Sequence, residues 1–205
     1  MNESRVVESG IGPKPTTPGA LHAWLSEYLD LRVPTRPLLD GHDAPFDYLC
    51  HAFFDGVEGN GKKGDVASGM GDGDGDTRCL LPAHHCPSDA IVWANRGGGK
   101  TFLGAVATLL DLVFKPTIEV RILAGSLDQA RRMHAHLRTL VEGSELFREV
   151  EGRITEKRMR LRNGSNVELL AQSQTSVRGT RVQKLRCDEV ELFDPEVWEA
   201  AQLTT

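Results

Sequence analysis

A glycine-rich run in the middle of the chain has the residue types and the spacing of a phosphate-binding loop. The run reads Ala94-Asn95-Arg96-Gly97-Gly98-Gly99-Lys100-Thr101. Its glycines let backbone N–H groups approach phosphate oxygens, and a helix that follows would point its positive end at them. Lys100 is expected to reach the β- and γ-phosphates, and the Thr101 hydroxyl to ligate Mg²⁺. The run therefore predicts a Walker A type of ATP site at residues 95–101, with Ala94 where the general motif has its first glycine.

An acidic pair further along the chain could complete this chemistry. Asp188 and Glu189 directly follow Leu185-Arg186-Cys187, which is predicted as a short strand. Asp188 fits the second Mg²⁺-holding position of a Walker B motif, and Glu189 could take the proton of the attacking water as general base. Acidic pairs are also common on surfaces, and Lys184 and Arg186 make this strand less apolar than is usual in a parallel sheet. The phosphate loop upstream favours the catalytic interpretation.

Strand and helix patterns alternate around these motifs. Residues 90–93 are predicted as a short buried strand before the loop, and residues 118–124 as the strand that follows the loop's helix. Ser126 and Gln129 predict a capping box at the start of the next helix. Asn163-Gly164 between two alternating runs predicts a hairpin. The predicted fold class is therefore α/β, a P-loop NTPase with a mostly parallel sheet flanked by helices and an N-terminal helical appendage.

Composition divides the chain into three predicted parts. Residues 1–54 form a helical extension, 55–89 a flexible Gly/Asp-rich linker or loop, and 90–205 the ATPase core. The linker holds Asp72, Asp74 and Asp76 without the glycine and glutamate of a calcium loop. It also holds metal-ligand side chains at no standard zinc spacing: Cys79, His84, His85 and Cys86. We expect neither metal there, no membrane span, and reduced thiols in a cytoplasmic protein.

Positive charge is concentrated in the centre of an acidic chain. The formal net charge is −5, yet residues 96–162 hold 13 Lys and Arg against 8 Asp and Glu, an excess of five positive charges. Such an excess suits phosphate-bearing ligands, although it is also typical of solvated helix faces. Arg158, Arg160 and Arg162, beside the predicted hairpin, are the candidate contacts to the phosphates of double-stranded DNA.

Taken together, these residues resemble the large subunit of tailed-phage terminases, in its N-terminal ATPase domain, over roughly residues 91–205. The resemblance rests on Arg96 within the phosphate loop and on Ser176-Val177-Arg178-Gly179-Thr180-Arg181 shortly before Cys187-Asp188-Glu189-Val190-Glu191-Leu192-Phe193. It implies a motor that hydrolyses ATP with Mg²⁺ to package viral double-stranded DNA. Glu189, Lys100 and Arg96 would be catalytic, with Arg96 as an arginine finger.

The same resemblance implies partners: a small terminase subunit, a portal and further copies of the chain in a ring, in the cytoplasm of the host cell.

Arg96 could instead bind a carboxylate or the DNA backbone. Arg178 and Arg181 could sense nucleotide, touch DNA or cap a turn. The resemblance further implies an RNase-H-like nuclease in a complete terminase, which is not present here. The chain stops roughly where the family has a Thr/Ser-rich motif that couples hydrolysis to movement, so we expect the ATPase core to be incomplete at its C-terminus. The alternatives are a helicase-like nucleic-acid-dependent ATPase and a nucleotide- or DNA-binding module without turnover.

Overall fold

The structure is a computed structural model that describes residues 11–54, 90–94, 97–170 and 182–203. The chain forms two compact units, one of Met1–Val33 with Trp93–Thr205 and one of Pro34–Val92. The described helices are α1 (Pro18–Leu29), α2 (Pro45–Phe54), α3 (Lys100–Phe114), α4 (Leu127–Glu142) and α5 (Pro195–Gln202). The strands are β1 (Glu119–Ala124), β2 (Arg158–Arg160), β3 (Asn166–Leu169) and β4 (Lys184–Asp188). Of the described helices, none has the length and apolar character that crossing a membrane requires.

The four strands form one mixed, mostly parallel sheet in the order β2-β3-β1-β4. β1 pairs in parallel with both β3 and β4, and α4 lies in the connection between β1 and β3, which parallel neighbours require to be long. β2 and β3 pair antiparallel through the predicted hairpin, with Gly164 at a positive φ of 86° in its turn. The expectation of an α/β fold with a mostly parallel sheet is thus confirmed.

Side chains of β4 alternate between two environments. Leu185 and Cys187 pack with Val197, Ala200 and Ala201 of α5. The intervening Arg186 and Asp188 instead contact α3. Because successive side chains in a strand point to opposite faces, α3 and α5 cover opposite faces of the sheet at β4. This layering places the first turn of α3 beside the carboxyl end of β4, where the predicted site lies.

Two helices, α1 and α2, form within residues 11–54, the described part of the predicted helical extension. In α1, the Thr17 hydroxyl accepts a hydrogen bond from the Ala20 N–H at 3.2 Å, and Pro18 occupies the first turn. Trp24 of α1 packs edge-on against Phe114 of α3, with ring centroids 5.0 Å apart. The unit that contains the phosphate loop therefore includes α1. In the other unit, α2 buries five residues: Phe46, Leu49, Cys50, Ala52 and Phe53.

The prediction of a buried strand at residues 90–93 is wrong. The described segment has no strand there, and Ile91 and Trp93 are each 92% exposed. An apolar run forms a strand only where a neighbouring strand satisfies its backbone N–H and C=O groups. None of the four described strands pairs with residues 90–93. The predicted linker at 55–89 lies outside the described residues.

Candidate nucleotide-binding site

The described part of the phosphate loop leads directly into the first turn of α3. Gly97 and Gly99 have positive φ values of 83° and 78°, a conformation that residues with a Cβ rarely adopt. Gly99 is the N-cap of α3, and no side chain among the described residues caps this helix end. Gly97, Gly98 and Gly99 are exposed. Uncapped N–H groups at the start of a 15-residue helix form a favourable environment for an anion such as a phosphate.

The Lys100 side chain contacts the residue at which the phosphate loop begins. Its Nζ donates a hydrogen bond to the Ala94 carbonyl oxygen at 2.6 Å. The ammonium therefore lies beside Ala94, the residue that begins the predicted phosphate loop. A nucleotide phosphate, which carries full negative charge, is a stronger acceptor for this ammonium than a neutral carbonyl oxygen. Lys100 is thus placed to transfer this hydrogen bond to a phosphate.

The two predicted Mg²⁺ ligands meet although they lie 87 positions apart in the chain. The Thr101 hydroxyl, in the first turn of α3, donates to Asp188 Oδ2 at 2.7 Å. Asp188 is buried at the end of β4. One hydroxyl and one carboxylate are hard oxygen donors of the kind that Mg²⁺ takes alongside phosphates and waters. The described residues contain no cluster of three or more His, Cys, Asp and Glu ligands, and a Mg²⁺–phosphate site of this type needs none.

Glu189 begins the turn that leaves β4. Its backbone lies in the left-handed region, with φ 52° and ψ 51°, which is uncommon for a residue with a Cβ. Its carboxylate turns toward the first turn of α4, where Gln129 Nε2 donates a hydrogen bond to Glu189 Oε2. Asp188 and Glu189 are therefore adjacent in sequence but contact different helices, α3 and α4. This separation lets the two carboxylates have different tasks.

Part of the chain has a fold similar to that of a solved terminase domain. No family model and no curated protein match the chain. The solved structure is the large terminase ATPase domain of Thermus phage P74-26, with 21% sequence identity and a TM-score of 0.42. The match covers 53% of this chain and 51% of that domain, so the chain spans about half the length of the domain it matches.

Several residues for which the sequence predicts or suggests a role lie outside the described residues. Asn95 and Arg96 of the phosphate loop are among them, as are Arg178 and Arg181 before β4. The linker side chains considered as metal ligands also fall there: Asp72, Asp74, Asp76, Cys79, His84, His85 and Cys86. Their predicted roles stay predictions.

The arginines beside the hairpin do not form a single row. Arg158 and Arg160, two positions apart on β2, line a cleft of about 370 Å³ together with Glu151, Arg153 and Thr155. Arg160 is paired with Glu151 at 2.7 Å, whereas no carboxylate of the described residues lies within ion-pair distance of Arg158. Arg162 is directed elsewhere, because its Nε donates to the Arg148 carbonyl oxygen at 3.0 Å. Three arginines against one glutamate leave this cleft net positive.

The sequence pattern did not identify Asp111, which connects α3 to β4. Its carboxylate is fully buried and contacts three cations: Lys115 and Arg186, each at 2.6 Å, and Lys184 at 3.5 Å. Burial lowers the pKa of Lys184 to about 8; Asp111 opposes this shift, and the charges of Arg186 and Lys115 add to it. The signal available in the sequence was an aspartate inside the apolar run Leu109-Leu110-Asp111-Leu112-Val113, together with two cations on a predicted core strand.

Asp111 and Thr101 attach α3 to β4 at two separate points. Thr101 reaches the carboxyl end of the strand at Asp188, and Asp111 reaches the middle of the strand at Arg186. Two attachments along one helix fix both its position and its direction relative to the strand. The Asp111 cluster therefore supports the geometry that brings the loop-helix hydroxyl to the strand-end carboxylate.

Proposed function

We propose that this chain carries the ATPase motor site of a terminase large subunit, which uses ATP hydrolysis to package viral double-stranded DNA. The observation that carries the proposal is the contact between the Thr101 hydroxyl and Asp188, which joins the phosphate-loop helix to the acidic strand end. A glycine-rich turn with an incidental lysine would not require a contact between a hydroxyl of the following helix and a carboxylate at a strand end.

The binding step follows from the helix start. Backbone N–H groups of residues 97–101 would bind the phosphates, and Lys100 would transfer its ammonium hydrogen bond from Ala94 to the β- and γ-phosphates. Asn95 and Arg96 would complete the loop, with Arg96 placed by the terminase resemblance on the γ-phosphate. Thr101 and Asp188 would hold Mg²⁺, which when bound neutralises charge on the phosphate oxygens.

In the chemical step, the carboxylate of Glu189 acts on the attacking water. Glu189 would accept a proton from the attacking water while the water oxygen forms a bond to the γ-phosphorus. The bond between the γ-phosphorus and the bridging oxygen of the leaving ADP breaks, and its electron pair stays with ADP. Asp188 is not given this task because its carboxylate, in contact with the Thr101 hydroxyl, is proposed to hold Mg²⁺.

The DNA partner is proposed from the positive cleft. Arg153, Arg158 and Arg160 present guanidinium groups to solvent on one side of the hairpin. Guanidinium groups bind phosphate oxygens irrespective of base sequence, and a packaging motor must grip any stretch of a genome. Interaction with a small terminase subunit, a portal or further copies of the chain is proposed from the resemblance alone.

The experiment is a steady-state ATPase assay on the chain, with and without duplex DNA, comparing the wild type with Glu189→Gln. Because a general base contributes about 100-fold or more, Glu189→Gln should remove nearly all hydrolysis and leave Mg²⁺–ATP binding intact. Glu191→Gln, an exposed glutamate in the same turn, is the matched control and should hydrolyse ATP normally. ATP binding without turnover in the wild type would favour a binding module, and strand separation coupled to hydrolysis would favour a helicase-like ATPase.

A further inference from the structure

The Gln129 side chain does not form the contact that a capping box predicts. The Ser126 hydroxyl accepts from the Gln129 backbone N–H at 3.3 Å, as the first half of the motif requires. In a complete capping box, the residue at the Gln129 position reaches back to the N–H of the Ser126 position. Here Gln129 Nε2 instead donates to Glu189 Oε2, 60 positions away in the chain. The first turn of α4 therefore connects to the end of β4 through this side chain.

The oxygen of the Gln129 side-chain amide has no partner, among the residues that the structure describes, that could orient the side chain. Gln129 Oε1 is buried and has no hydrogen-bond partner within the described part of the chain. The contact with Glu189 is consequently the interaction that orients the amide. The reversed amide would place Oε1 against a carboxylate oxygen, and two acceptors repel each other. The polarity of the contact, with the nitrogen toward Glu189, is thereby fixed.

Close packing keeps the two turns together. A Cβ on Gly125, at the β1–α4 junction, would lie 2.7 Å from Leu192 Cβ and 2.9 Å from Gln129 Oε1. These distances are shorter than real Cβ contacts, so only glycine permits this approach. The turn after Glu189 is therefore packed directly on the turn that carries Gln129. Glu189 itself retains a left-handed backbone, a conformation that persists where surrounding contacts enforce it.

We propose that Gln129 is a positioning residue for the general base Glu189; this inference rests on the proposed function. A carboxylate has two oxygens, and both can accept hydrogen bonds. Gln129 anchors Oε2, which stops rotation of the group and leaves Oε1 directed away from the anchor for the water. The anchored carboxylate presents one acceptor in one orientation, and orientation of the reacting groups is a large part of catalysis. In this proposal Gln129 acts through Glu189 and is assigned no contact with ATP.

The functional test compares Gln129→Met with the wild type. Methionine has nearly the same length and fills the same space but donates no hydrogen bond, so packing and donation are separated. We expect kcat for ATP hydrolysis to fall at least about tenfold, while the dissociation constant for Mg²⁺–ATP and the thermal midpoint stay near the wild-type values. Gln129→Glu should lower kcat further, because a second carboxylate repels Glu189. An unchanged kcat in Gln129→Met would overturn the proposal.

The matched control is Gln183→Ala. Gln183 also has an engaged side chain, since its Oε1 accepts from the Glu119 N–H at 2.9 Å, but it lies at the opposite end of the sheet from Glu189. Loss of this contact should leave kcat unchanged. A fall in kcat as large as that of Gln129→Met would show that any broken glutamine contact slows the chain, and the positioning role would be refuted.

A readout independent of catalysis separates failure of this inference from failure of the proposed function. The side-chain amide signal of Gln129 in a ¹H–¹⁵N spectrum is assigned by its absence in Gln129→Met. In Glu189→Ala this signal should move, because its acceptor is gone, while that of Gln183 should not. An unmoved Gln129 signal would refute the contact whether or not the chain hydrolyses ATP. If the signal moves in Glu189→Ala but the wild type binds no Mg²⁺–ATP, the contact exists and the proposed function is refuted. The catalytic meaning of the contact is then refuted as well.

Discussion

Replacing Asp111 with asparagine should destabilise the fold more than any surface change of equal size. Asn keeps the shape of the side chain but removes the carboxylate that three cations share. Asp111 is fully buried, and the exposed fractions of the partner side chains are 14% for Lys115, 15% for Lys184 and 11% for Arg186. Solvent can therefore do little to replace the lost negative charge. Removing one partner of a buried ion pair typically costs about 3–5 kcal/mol.

That loss is large beside the total stability of a folded domain, which is about 5–15 kcal/mol. With a urea dependence of about 2 kcal/mol per molar, the unfolding midpoint of Asp111→Asn should fall by about 1.5–2.5 M. Asp128→Asn is the control, because Asp128 forms an exposed pair with Arg131 at 2.8 Å. Such a pair contributes at most about 1 kcal/mol. The two variants are compared by urea unfolding followed by circular dichroism.

A double variant tests whether the uncompensated cations cause the loss of stability. In Asp111→Asn combined with Lys184→Met, one of the uncompensated cations is also removed, so part of the lost stability should return. If Asp111→Asn unfolds at the same urea concentration as Asp128→Asn, the buried cluster does not hold α3 to β4, and the argument from burial is refuted.

Three further predictions concern pH and DNA. Burial, with a smaller effect of the Arg138 charge, lowers the pKa of His134 below its usual 6.5, so the unfolded chain binds the proton more readily. Stability should therefore be full above about pH 6.5 and decline below it, and His134→Leu should remove this decline in urea unfolding at pH 7.5 and 5.5. Because the pKa of Lys184 is lowered from 10.5 to about 8, stability should rise from about pH 8 to pH 9, and Lys184→Met should abolish the rise. Above pH 9 the pKa of the Cys187 thiol, which burial raises from 9.0, opposes this rise. Duplexes of unrelated sequence should bind equally and weaken steeply with salt; Arg158→Ala should lower the slope of log K against log salt by about one. Arg138→Ala, at an arginine paired with Glu142, should leave that slope unchanged, and binding of one sequence only would contradict the phosphate-contact argument.

The sequence predicted the elements whose signals are local. The glycine-rich loop predicts a helix directly after it, and the structure has this helix as α3, from Lys100 to Phe114. The Asn163-Gly164 signal predicts the hairpin of β2 and β3, and the strand before the acidic pair is present as β4. Each of these signals lies within or directly beside the element that it predicts, so no tertiary information is needed. Thr101 and Asp188 were each predicted as a Mg²⁺ ligand from two separate motifs, and the structure brings these two residues into contact.

The features that the sequence did not predict depend on residues far apart in the chain. Asp111 and Arg186 are 75 positions apart, and periodicity cannot show that one neutralises the other. The capping box was half correct, because the Gln129 amide nitrogen donates to the Glu189 carboxylate while its oxygen does not accept from the Ser126 N–H. The strand at residues 90–93 failed for a related reason. Its composition is typical of strands, but pairing is decided by neighbours that composition does not reveal.

Calorimetric titration of Mg²⁺–ATP into the wild type and Lys100→Ala tests the central claim most directly. If residues 97–101 bind the phosphates, removing the ammonium should weaken binding by at least about 1.5–3 kcal/mol, a loss of about 10- to 150-fold in affinity. Lys157→Ala, at an exposed lysine between α4 and β2, should bind like the wild type. Saturable binding that is lost in Lys100→Ala and kept in Lys157→Ala is the predicted result. Equal affinity in Lys100→Ala and the wild type, or no binding by the wild type, would contradict the assignment of the ATP site.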